Sequence, residues 1–351
     1  MTEGAIVVVL LIACRASPKI GFGHLTRSRA IADIAAARGL STLLIGPTLA
    51  YAQPEDHARF ADWIEAADAD IDDRRVADLI ALAAARGIHH VMLDDYGYDG
   101  PRQQALRDAG LRVLTQYDAS KPPRFAAQLA VNASPAEHAG LHRERLYNPD
   151  VRFLNGPRHA VLREEFSAVD RRPPGRPVRR ILATFGGGDD RGGGVQVIEA
   201  LAGRIPAEVT LVIMSGRANP ALPAIEAAIG RHPGLSIELA VSPAEPARLM
   251  ASCDMAIMAG GTSVYEAAFL GLPMLLLAVA ENQYAQCGGW EGLGAARYLG
   301  PLHRVDSQVL ASEVDRILAD DALRARMGSN GVDQVDLNGA NRLLDALLDR
   351  T

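Results

Sequence analysis

Short apolar runs alternate with alanine-rich amphipathic stretches along most of this sequence, and that alternation restricts the fold more than any other feature. A strand, a crossover helix and a second strand form a βαβ unit, and a series of such units builds a parallel sheet covered on both faces. In the first half, strands are expected over 6–13, 42–45, 90–93, 112–115 and 129–131. Helices are expected between them, over 27–38 and 76–86 among others. Each of these two is followed by a glycine, Gly39 or Gly87, suited to a helix C-cap.

The pattern stops at 167–178 (S-A-V-D-R-R-P-P-G-R-P-V), where prolines and a glycine prevent a packed element. It then restarts. Strands are expected over 180–185, 208–214, 236–239, 255–258 and 274–277, with helices over 195–204, 221–229, 245–251 and 263–270. Beyond that the chain reads as helical to the end, apart from loops around Gly300 and Gly339. A chain of 351 residues exceeds the size at which a single core usually splits. The expectation is α/β: two Rossmann-like, doubly wound domains facing across a cleft. They cover 1–166 and 179–351, with 167–178 as linker.

Composition excludes several classes. With 48% hydrophobic residues and a net charge of -6, the chain has ample apolar surface to bury and is not disordered. The same charge argues against a nucleic-acid surface. The apolar run ending at Cys14 resembles a signal segment, but Glu3 and no Lys or Arg precede it, and it is too short to span a bilayer. A buried parallel strand accounts for it, so a soluble, cytoplasmic protein without a membrane span is expected. Cys14, Cys253 and Cys287 are widely spaced with no C-x-x-C pair, so neither a disulfide framework nor a zinc site is indicated. The oligomeric state stays open, and a monomer is compatible with the sequence.

Ligands in doubly wound sheets bind outside the carboxyl ends of the strands, so the loops after strands carry the functional reading. In I-G-F-G-H-L-T-R (20–27), Gly21 and Gly23 let the backbone turn tightly, and His24 stands at the start of a helix. It is either a cleft residue or a surface histidine in a glycine turn. In T-F-G-G-G-D-D (184–190), the amides of Gly186, Gly187 and Gly188 can face an anion, while Asp189 and Asp190 suit helix capping better than metal ligation. In A-G-G-T-S-V-Y-E (259–266), Gly260 and Gly261 give the turn, and Thr262 and Ser263 offer hydroxyls to a phosphate. Glu266 can take both ribose hydroxyls or, alternatively, form a capping box with Ser263. Asn282 and Gln283 follow another strand and suit a sugar or an ordinary helix start. The segment 93–99 (L-D-D-Y-G-Y-D) is either an acidic surface loop or a place where Tyr96 orients a sugar or a water. No strand carries Ser or Cys in a nucleophile elbow with matched partners, and His89 and His90 lack helical i, i+4 spacing and a carboxylate third ligand, which disfavours covalent and metal mechanisms.

Taken in order, I-G-F-G-H-L-T-R (20–27), D-D-Y-G (94–97), V-N-A (131–133), G-P-R-H-A-V-L-R-E-E-F (156–166), F-G-G-G-D (185–189), S-G-R-A-N-P-A-L (215–222) and A-G-G-T-S-V-Y-E-A…G-L-P…E-N-Q (259–283) resemble the UDP-sugar hydrolases of pseudaminic acid biosynthesis. That family removes UDP from UDP-2,4-diacetamido-2,4,6-trideoxy-β-L-altropyranose. It needs no metal and is similar in fold to inverting glycosyltransferases of the two-Rossmann, or GT-B, type. The resemblance covers about residues 5–300.

It implies that His24 handles the attacking water, with Tyr96 near that water. It places Gly23, Arg27, Asn282 and Gln283 beside the sugar. Gly186, Gly187, Gly188, Gly260, Gly261, Thr262 and Ser263 fall at the nucleotide diphosphate, and Glu266 at the ribose. Three positions depart from the family. Ala13 stands where arginine is usual, Arg15 where aspartate is usual, and Asp95 where relatives often have histidine. The implied activity is inverting hydrolysis of a UDP-linked amino or deoxy sugar, with no cofactor or metal. The alternatives are an inverting, metal-independent glycosyltransferase that uses the same donor with an acceptor, and a nucleotide-sugar-binding scaffold without turnover.

Overall fold

The computed structural model describes residues 8–17, 20–66, 71–118, 121–136, 143–171, 173 and 176–349. The first two residues of the strand expected over 6–13 lie outside the described residues, as do positions 172, 174 and 175 of the expected linker. The chain divides into two compact units.

The first unit is built on seven strands: β1 (Val8–Cys14), β2 (Ser41–Gly46), β3 (Asp62–Glu65), β4 (His90–Asp94), β5 (Arg112–Gln116), β6 (Leu129–Asn132) and β7 (Arg152–Asn155). They pair in the order β3-β2-β1-β4-β5-β6-β7, with every named pair parallel. The crossovers include α1 (Gly23–Ala37), α2 (Asp56–Arg59), α3 (Asp73–Ala85) and α4 (Gly100–Asp108). Alternate residues of a strand face opposite sides of its sheet. Leu10, Ile12 and Cys14 of β1 therefore pack into one core cluster, and Leu11 and Ala13 into another. Burial on both faces is why β1 reads as an unbroken apolar run. Both helices that were expected to end at glycines do so. Gly39 and Gly87 have φ of 72° and 62°, and the amides of Leu40 and Ile88 close the last turns onto Ala35 and Ala83.

The second unit has six strands: β8 (Arg180–Thr184), β9 (Thr210–Ser215), β10 (Ile237–Val241), β11 (Met255–Met258), β12 (Met274–Ala278) and β13 (Ala296–Pro301), paired in the order β10-β9-β8-β11-β12-β13. Its helices are α5 (Gly193–Leu201), α6 (Leu222–Arg231), α7 (Pro246–Ala251), α8 (Ser263–Phe269), α9 (Tyr284–Gly292), α10 (Ser307–Ala319) and α11 (Asp321–Val332). Ile181, Ala183, Leu211, Ile213, Ile257 and Leu275 form one face of the core, against Val197, Leu201, Ile225, Leu310 and Val314 of the helices.

Three strands escape the sequence reading, and all three are edges or short pieces. β3 and β7 lie at the two ends of the first sheet, are four residues each and are only half-buried, so their apolar signal is diluted by Asp62, Glu65, Arg152 and Asn155. β13 lies where helix and a loop around Gly300 were expected. It is an edge strand, its register slips against β12 near Gly300, and it ends at Pro301.

The last helix, α12 (Gly339–Leu347), belongs to the first unit, as do the described residues from Leu337 onward, whereas the sequence reading kept 179–351 together. Ala340, Leu343, Leu344 and Leu347 enter the same cluster as Leu10 and Ile12. Burying each leucine contributes about 1.5–3 kcal/mol. Gly339 makes this docking possible, because a Cβ there would overlap the Ala160 carbonyl. Phe166, which the sequence reading placed at the end of the first domain, packs edge-on against Phe269 in the second unit.

No helix among the described residues is long and apolar enough to cross a membrane.

Candidate active site

Both sheets have a point at which strand order reverses, between β1 and β4 in the first and between β8 and β11 in the second. At such a point successive crossovers leave in opposite directions and open a crevice at the carboxyl ends of the strands. Most of the residues singled out from sequence lie in the loops at these two places, while Asn282 and Gln283 follow β12.

In the first unit, β1 and β4 run side by side to a final pair, Cys14 and Asp94. The chain leaves β1 through a turn containing Gly21, whose φ of 92° suits glycine, and enters α1. His24 and Arg27 are three residues apart and so share a helix face. Both reach Asp94. His24 Nδ1 lies 2.7 Å from Asp94 Oδ1, Arg27 Nε donates to Oδ2 at 2.7 Å, and Arg27 Nη2 donates to Oδ1 at 2.5 Å. Asp94 is completely buried. Burial alone would raise its pKa, but the Arg27 guanidinium and His24 outweigh it and hold the carboxyl at about 2.

An ionised carboxylate can only accept, so the proton on the imidazole nitrogen facing it belongs to Nδ1. In the neutral imidazole this leaves Nε2 as the nitrogen with a free lone pair. This is the arrangement by which a carboxylate fixes a histidine tautomer for proton transfer. The Tyr96 ring stands edge-on to the imidazole, with centroids 4.9 Å apart, and is 42% exposed. Arg27, expected beside the sugar, donates to Asp94 through both Nε and Nη2.

Asp94 was read only as part of an acidic loop. It lies far from His24 in sequence, and the available signal was its place at the end of the strand that neighbours β1. The next carboxylate of that loop, Asp95, forms a two-pronged ion pair with Arg15, at 2.5 Å from Nε to Oδ2 and 2.9 Å from Nη2 to Oδ1, and accepts the Gly97 amide. Two of the positions that depart from the family pattern therefore meet each other. Arg15 also lines a cavity of about 280 Å³ at the carboxyl ends of β1, β2 and β3, with Ser17, Thr48, Tyr51 and Glu65. Nothing in the sequence pattern marked this cavity. The buried Cys14 thiol is pushed up to about 12 by burial.

The switch point of the second unit is lined by glycine. The loop after β8 carries Gly186 and Gly187, both exposed, and Gly188, which is buried. Its backbone touches the loop after β9 so closely that a Cβ at Gly216 would overlap the Gly187 carbonyl. Asp190 is buried and accepts the amides of Gly192 and Gly194 at the start of α5, a capping role, while Asp189 accepts the Arg191 amide. On the other side, the loop after β11 carries Gly260, Gly261 and Thr262 into α8. The alternative capping box is not formed: Ser263 is the first helical residue, and the N-cap Thr262 makes no side-chain capping bond. Glu266 is buried in the first turn of α8. Asn282 is exposed after β12, and Gln283 uses its side-chain oxygen to accept the Val279 amide at 3.0 Å.

Among the described residues, no group of three or more His, Cys, Asp and Glu side chains is placed to hold a metal ion.

These two parallel-sheet α/β domains give the chain a GT-B fold. It matches MurG from Acinetobacter baumannii with a TM-score of 0.66 at 15% identity, over 97% of this chain and 99% of that one. It matches a complex of S. aureus MnaA with UDP with a TM-score of 0.65 at 11% identity, over 98% of each chain. In sequence, the chain is 30% identical over 211 residues to the spore coat polysaccharide biosynthesis protein SpsG of Bacillus subtilis (strain 168). That match takes in 59% of this chain and spans 61% of the length of the relative. No family model matches the sequence.

Proposed function

We propose that the protein is a nucleotide-sugar hydrolase that releases UDP from a UDP-linked amino or deoxy sugar, as the pseudaminic-acid hydrolases it resembles do. It would serve the biosynthesis of a nonulosonic acid or a related surface sugar, and a cytoplasmic setting goes with that reading. The observation that carries the proposal is the 2.7 Å contact between His24 Nδ1 and a buried, ionised Asp94, which leaves Nε2 as a base. The GT-B fold, the UDP-bound MnaA neighbour and the polysaccharide role in SpsG's name support the substrate class.

In this mechanism the second unit holds the nucleotide. Amides around Gly186, Gly187, Gly188, Gly260, Gly261, Thr262 and Ser263 receive the diphosphate, and Glu266 accepts from the ribose hydroxyls. Asn282, with the amide nitrogen of Gln283, contacts the sugar. The first unit supplies the base. Water attacks the anomeric carbon on the face opposite the diphosphate and passes its proton to His24 Nε2. The anomeric C–O bond breaks, and its electron pair leaves on the diphosphate. Asp94 stabilises the imidazolium as it forms. A positioned general base contributes about 10²–10⁴-fold, and amides aimed at the growing negative charge contribute further.

The cavity beside Arg15 favours a second reading. A pocket so close in the chain to the Asp94 dyad could seat an acceptor hydroxyl, which would replace water and make the enzyme a transferase. Incubation with UDP-linked N-acetylamino sugars decides between them. UDP release without acceptor supports hydrolysis, and release only with acceptor supports transfer. Tight binding with no release under either condition leaves the scaffold.

A further inference from the structure

The geometry points to Gln286 as the positioning residue that aims the backbone amides of Gly261 and Thr262 at the nucleotide's diphosphate. The inference rests on the UDP-sugar reading above and concerns a residue that no motif marked. Gln286 lies in the first turn of α9, and its Nε2 donates to the carbonyls of Gly260 at 2.8 Å and Gly261 at 3.0 Å. Carbonyl oxygens only accept, so the side-chain amide has one possible orientation, with nitrogen toward the loop. The Tyr265 hydroxyl donates to the remaining Oε1 at 2.9 Å and locks that orientation. Tyr265 is itself buried, with its ring edge-on to Trp290 at 5.7 Å.

In a trans peptide the N–H points opposite to the C=O. Among the described residues no peptide bond is cis. Turning the Gly260 and Gly261 carbonyls toward Gln286 therefore turns the Gly261 and Thr262 N–H groups away from α9. Neither of those amides has an acceptor among the described residues. Gly260 is held from below as well, because a Cβ there would overlap Cys287 Sγ, while the space beside Gly261 is open. The result is a pair of parallel donors fixed before any anion arrives, which is what stabilising a leaving diphosphate requires.

The test compares UDP and uridine binding, by calorimetry and saturation-transfer NMR, in the wild type, Gln286→Glu, Gln286→Leu and Tyr265→Phe, with thermal melts as a check of folding. Gln286→Glu keeps the shape but sets oxygen against two carbonyls. We expect both Gln286 variants to lose UDP affinity about tenfold to a hundredfold, the scale of a charge-assisted hydrogen bond. Uridine affinity should stay within about twofold, because uridine carries no phosphate for these donors to bind. Tyr265→Phe should lose less than either, and it carries the comparison if a Gln286 variant fails to fold. Unchanged UDP affinity, or equal losses for UDP and uridine, overturns the inference while leaving the UDP-sugar reading standing. A wild type that does not bind UDP at all refutes that reading and this inference with it.

Discussion

The two switch points share one topology and differ in everything laid over it. At the first, between β1 and β4, the loops carry charge: His24 and Arg27 meet at Asp94, which is wholly buried, and Arg15 pairs with Asp95. At the second, between β8 and β11, the loops carry glycine, and side chains such as Asp190 and Gln286 serve to aim the backbone. The contrast teaches how one architecture yields two kinds of chemistry. A side-chain network can set a tautomer and hold a proton. A backbone loop can only present dipoles, but it does so without a charge to desolvate. On this account the first region acts on the incoming oxygen and the second on the outgoing diphosphate.

The sharpest way to break the contrast is His24→Ala. Turnover should fall by about 10²–10⁴-fold, the range of general-base catalysis, while UDP affinity is kept. Steady-state kinetics beside calorimetry check this, and surviving turnover would remove His24 from its role.

Asp94→Ala comes next. It leaves the half-buried Arg27 guanidinium without its carboxylate partner, and a loss of about 3 kcal/mol of stability, the lower end of the range for a buried pair, is expected. Denaturant melts should show this loss, and a cost near zero would mean that the network is decorative. The same carboxylate makes a pH prediction. Its folded pKa of about 2 lies below the ordinary 3.8. Its contribution is therefore full above that ordinary value and is lost as pH falls toward about 2. Acid melts of the wild type should lose stability across that window, and Asp94→Asn should lose less. Parallel curves would contradict the assignment.

Glu266→Ala is the smallest. UDP should bind about tenfold more weakly, about 1.4 kcal/mol, with the melting temperature nearly unchanged. Unaltered UDP affinity would take Glu266 out of the ribose site.

Much of this was legible in the sequence. Strands buried on both faces announce themselves as unbroken apolar runs, as β1, β11 and β12 do, and the glycine turn before His24 is where the chain leaves β1 for α1. What escaped was what depends on pairing across long separations. Asp94 is tied to His24 only once β4 is known to lie beside β1. The Arg15–Asp95 pair was visible as two departures from the family pattern, but not as one contact. An amphipathic α12 shows that it needs a core without showing which, and Gln286 sits in a helix with no motif around it.

The central claim is that water, activated at the first switch point, breaks the anomeric C–O bond while the second holds the leaving nucleotide. Reaction of a UDP-linked N-acetylamino sugar in ¹⁸O-labelled water, with no acceptor present, tests it most directly. The account predicts label on the anomeric oxygen of the freed sugar and none in UDP. Label in the phosphate, or no release until an acceptor is added, would contradict it.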